Sequence, residues 1–106
     1  MKMNPTALAE VQAAVQTTRT TYNVEISSQA IMILGECFTA IEADPHQSWP
    51  TNLNKALFRT DMANTLSSTL AGLATKLQLT RLTSFDILHN MSSIIDIMCP
   101  FTKPPP

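Results

Sequence analysis

Charge is scarce in this chain: Lys, Arg, Asp and Glu make up 14% of its 106 residues, against about 25% in an ordinary soluble domain. Net charge is −1, which argues against an electrostatic nucleic-acid binder, because such proteins need a basic face to neutralise phosphates. Glycine is scarcer still. The two present, Gly35 and Gly72, stand far apart, and no phosphate-cradling loop can be built from isolated glycines. Aromatics are 6% of the chain and include a single Trp, Trp49. No apolar run is long enough for a membrane span without a charge; the nearest, Phe85 to Phe101, contains Asp86 and Asp96.

The other shortages concern chemistry. The chain has two cysteines, Cys37 and Cys99, and two histidines, His46 and His89. Neither cysteine has a local base or an electropositive setting to make it a nucleophile. The four side chains are scattered and match no compact zinc spacing. The expectation is therefore no enzyme, no cofactor and no metal. Lys2 leads into a polar stretch broken by Pro5, unlike a signal peptide. That favours a cytoplasmic protein whose cysteines stay reduced.

What the chain does have is helical periodicity. Leu66, Leu70, Leu73 and Leu77 step by three and four residues, as do Leu88, Met91, Ile95 and Met98. Each set lies on one face of an α-helix. The Thr-rich connector between them is short, so the two read as an antiparallel helical hairpin. Upstream, Asn4-Pro5 is a good helix start. The stripe that follows, Leu8, Val11, Val15 and several alanines, is thin. Thr17, Thr18, Thr20 and Thr21 are weak helix formers, so fraying is expected near Thr18 and residues 1–22 read as a late-packing helix or arm. A second helix is capped by Ser27 or Ser28, with Ile26 placed for a hydrophobic staple. It carries Ile31, Leu34, Phe38 and Ile41 and ends at Asp44-Pro45. Gly35 inside it suggests close helix packing.

Residues 44–51 form a Pro-containing loop around Trp49. Thr51 or Asn52 caps a third helix reaching about Leu79, where Gly72 and Ser67-Ser68 are weak points. Thr83 to Asp86 begins a fourth helix with a capping-box pattern, Pro100 ends it, and residues 100–106 read as a stiff extended tail. The fold expectation is a single all-α domain, a small bundle of about four helices ending in a long antiparallel hairpin, with residues 27–99 as its core.

Two readings of function follow. Leu73 to Thr80 resembles the first helix and turn of a helix-turn-helix, but Gln78 stands where Gly usually makes the turn. Its would-be recognition helix, Ser84 to Asn90, carries Asp86 and no Lys or Arg. The other reading is binding through apolar surface. Ile87, Leu88, Met91, Ile94, Ile95, Ile97 and Met98 cover more than one stripe of the last helix, which suits a helix shared with another chain and points to a homodimer. Trp49 either anchors an interface or closes the end of the core.

Size, helical organisation and missing chemistry together resemble the small all-α antiactivators of bacterial quorum sensing. With that resemblance, Phe38, Trp49, Phe85, Leu88, Met91, Ile95 and Met98 become the candidate contact residues. The resemblance implies a non-enzymatic regulatory protein that binds a LuxR-type transcription regulator and blocks its dimerisation or its DNA binding. The alternative is a small helix-turn-helix-like DNA-binding regulator.

Overall fold

Asn4 starts the first helix, α1 (Pro5–Tyr22), by accepting a hydrogen bond from the Thr6 N–H at 2.9 Å, with Pro5 at the first helical position. The computed structural model describes residues 3–43 and 55–98. After α1 come β1 (Glu25–Ile26), α2 (Ser28–Ala43), α3 (Lys55–Leu77), β2 (Arg81–Leu82), α4 (Ser84–His89) and α5 (Met91–Met98). The fold is all-α, with five helices and one two-residue strand pair among the described residues. Trp49, His46, Cys99, the cap of α3 at Thr51 or Asn52, and the tail 100–106 lie outside the described residues.

α1 is not an arm. It packs against both α2 and α3, burying Ala7, Val11, Ala14, Val15 and Thr18. The stripe is thin because it is built of small residues, and small residues let helices approach closely. Thr18 does not fray the helix, because its hydroxyl is satisfied inside the core. It donates to the Ala14 carbonyl at 2.8 Å and lies 3.1 Å from the Ser67 hydroxyl of α3. The same back-bonding recurs at Thr17, Thr20, Thr39, Thr69 and Thr75, each of which donates to the carbonyl four residues earlier. These bonds give the hydroxyls partners without taking the chain out of the helix.

The connections from α1 to α2 and from α3 to α4 each use a left-handed residue. Asn23 (φ 57°) ends α1, and Gln78 (φ 56°) ends α3 in the place where Gly is usual. Each is followed by a two-residue strand and then a hydroxyl cap. Ser27 accepts from the Ala30 N–H at 3.2 Å. Thr83 forms a capping box with Asp86. β1 and β2 pair in parallel, Glu25 opposite Arg81 and Ile26 opposite Leu82. Ile26 and Leu82 point into the core, while Glu25 and Arg81 stay exposed. Periodicity cannot register a strand this short, so the pairing is absent from the sequence reading. Its effect is to start α2 and α4 next to each other, with Ser84 Oγ 3.5 Å from Gln29 Oε1.

The expected fourth helix is two helices. At Asn90 (φ −112°, ψ 15°) the chain leaves helical geometry. The Asn90 side-chain amide donates to the Asp86 carbonyl at 2.8 Å, a bond that competes with the backbone ladder. The break lets α4 pack on α2 while α5 packs on α3. It also sorts the second ladder. The buried set is Ile87, Met91, Ile94 and Met98, with Met91 only partly covered; Leu88 and Ile95 face outward. In α3 the core takes Met62, Leu66, Leu70 and Ala74, while Leu77 is exposed.

The two glycines differ. A Cβ built on Gly35 would lie 2.8 Å from Met3 Sδ and 3.4 Å from Leu8 Cδ1, so the α1 segment rests directly on the Gly35 backbone. A Cβ at Gly72 meets nothing within 4 Å, and α3 runs through this position without interruption. Gly72→Ala should therefore stabilise the fold by about 1 kcal/mol through helix propensity alone. Thermal melting should show a rise of about 4–8 °C; an unchanged or lower midpoint would mean that Gly72 serves some purpose other than filling an exposed turn.

Candidate interaction face

α4 has only six residues, too few to persist as a helix by propensity. Its caps and one buried anchor hold it. The Asp86 carboxylate accepts from the Thr83 N–H at 2.8 Å, and the Thr83 hydroxyl accepts from the Asp86 N–H at 3.4 Å. Ile87 is fully buried. With Ile87 inward, helical geometry turns Phe85 and Leu88 outward. They are 71% and 59% exposed, the largest exposures of any big apolar side chain among the described residues.

Phe85 is stacked on His89, with ring centroids 5.6 Å apart and planes 11° from parallel. The stack joins two residues one turn apart and stiffens the outward side of α4. On α5, Ile95 and Ile97 are 39% and 51% exposed. On α2, Met32 is 56% exposed and lies one turn beyond Gln29, as Leu88 lies one turn beyond Ser84.

The structure divides the candidate contact residues. Phe85, Leu88 and Ile95 stand on the surface, and Met91 is half-buried against the core. Phe38 and Met98 are core residues, 2% and 0% exposed, and are not available on the surface of the folded chain. Trp49 lies outside the described residues. Met32 is absent from the candidate set. The signal for it was the unbroken run Ile31-Met32-Ile33-Leu34, because one face of a helix cannot bury four consecutive side chains.

Two charged side chains near this face are engaged within the fold. Asp86 is held in the capping box. At the strand pair, Arg19 Nε lies 3.0 Å from Glu25 Oε1, and Arg19 Nη2 donates to the Ile26 carbonyl at 3.3 Å. An exposed ion pair of this kind contributes little stability, but it commits Arg19 to the β1 edge. α4 itself contains no Lys or Arg, so a major-groove role for it has no basic side chain on the helix to use.

Among the described residues no three His, Cys, Asp or Glu side chains gather closely enough to hold a metal ion. The gap lined by Glu10, Val11, Phe38, Met62, Ala63 and Leu66 is too small for a water molecule. Cys37 is a free, half-buried thiol, and burial pushes its pKa up. A thiolate is therefore disfavoured there. Because the folded pKa lies above the unfolded one, the thiol's contribution to stability is complete below the unfolded thiol's pKa. It is lost as pH climbs through the folded value. Denaturation of the Cys99→Ser protein should lose stability above about pH 8.5, and the double variant with Cys37→Ala should lose measurably less over the same range. Equal losses would assign the alkaline sensitivity to other groups. No family model, no curated protein and no solved structure matches the chain.

Proposed function

We propose that this chain is a non-enzymatic regulatory protein that binds a larger protein and inhibits it through the outward face of α4 and α5. The observation that carries the reading is Phe85, a large aromatic side chain 71% exposed on a helix fixed by a capping box and a buried Ile87. Aromatic anchors on rigid elements contribute heavily to protein interfaces. Leu88 on the same helix and Ile95 on α5 are further exposed apolar side chains. The resemblance to small quorum-sensing antiactivators makes a LuxR-type transcription regulator the partner. Covering that regulator's dimerisation or DNA-binding surface is the mode of inhibition. The same resemblance makes the bacterial cytoplasm the setting.

Without its partner the same face pairs with a second copy, and a net charge of −1 offers little repulsion to prevent this. Partner binding and self-association then compete for one surface. The test titrates the purified chain into a LuxR-type regulator bound to its operator. The operator complex should dissociate as the chain is added, and the chain alone should leave the operator unshifted. A direct, salt-sensitive shift of the operator by the chain would replace this reading with the helix-turn-helix one. Sedimentation of the chain alone should show a dimer at micromolar concentration, and a monomer there would remove the homodimer from the proposal.

A further inference from the structure

We draw no further inference here: the strongest candidate, the exposed apolar side chains of α4 and α5, belongs to the surface already described, and nothing in the structure shows what covers it.

Discussion

Phe38→Ala should cost about 3–5 kcal/mol of folding stability. The ring is 2% exposed and lines a gap with Val11 of α1 and Met62, Ala63 and Leu66 of α3. From α2 the ring therefore reaches toward side chains of both α1 and α3. Removing it withdraws the transfer energy of an aromatic ring and leaves a cavity that three helices cannot readily close. A domain of this length is stable by about 5–15 kcal/mol, so the loss is a large fraction of the total. Chemical denaturation should show the midpoint falling with the slope unchanged. Phe38→Leu, which keeps most of the volume, should recover much of the difference. The sequence reading had placed Phe38 among the contact residues, and this variant separates the two roles. If Phe38→Ala kept its stability and lost only its partner, the ring would belong to an interface after all. If both fall together, any loss of binding follows from unfolding.

The sequence carried the helices but not their partners. Leu66 and Leu70 are in the core as their spacing predicts, and so are Leu34 and Phe38. Long amphipathic segments are legible because the apolar stripe repeats over several turns, so many residues together set which face is buried. α1 was undervalued for a specific reason: apolar stripes are counted by large side chains, and this stripe uses Ala7, Ala14 and a satisfied Thr18. Short-range chemistry was legible at Thr83, where a Ser/Thr-x-x-acid pattern has a mechanism. It failed at Asn90, an ordinary-looking amide in mid-pattern whose side chain and backbone N–H both donate to the Asp86 carbonyl where the chain leaves helical geometry. The second ladder is half out of place because two sets of residues there step by three and four, and spacing alone does not choose between them. Leu88, Met91, Ile95 and Met98 share a stripe on an ideal helix, yet the core selects Ile87, Met91, Ile94 and Met98. The parallel pairing of β1 and β2 depends on residues more than fifty positions apart, and nothing local encodes it.

The same sorting defines the variants that should weaken binding without touching the fold. Phe85→Ala and Leu88→Ala are each expected to weaken the partner complex by about 2 kcal/mol or more, roughly thirtyfold in Kd. Folding stability should stay within about 0.5 kcal/mol of the parent for both. The reason is geometric. Phe85 and Leu88 leave 71% and 59% of their surface in water, so truncation deletes little intramolecular contact beyond the Phe85–His89 stack. Ala is also the better helix former, which offsets part of that loss. The capping box and Ile87, untouched by either change, continue to hold α4 in place. Gln12→Ala, on the exposed side of α1, is the matched control and should alter neither quantity. Calorimetric titration against a LuxR-type regulator reads the affinity, and sedimentation reads self-association in the same samples. Both should fall together if one face serves both. A variant that lost self-association and kept regulator binding would show that the two contacts use different surfaces. Full affinity in both Phe85→Ala and Leu88→Ala would remove the α4 face from the interaction altogether. Because neither residue supports the core, such a result could not be attributed to misfolding.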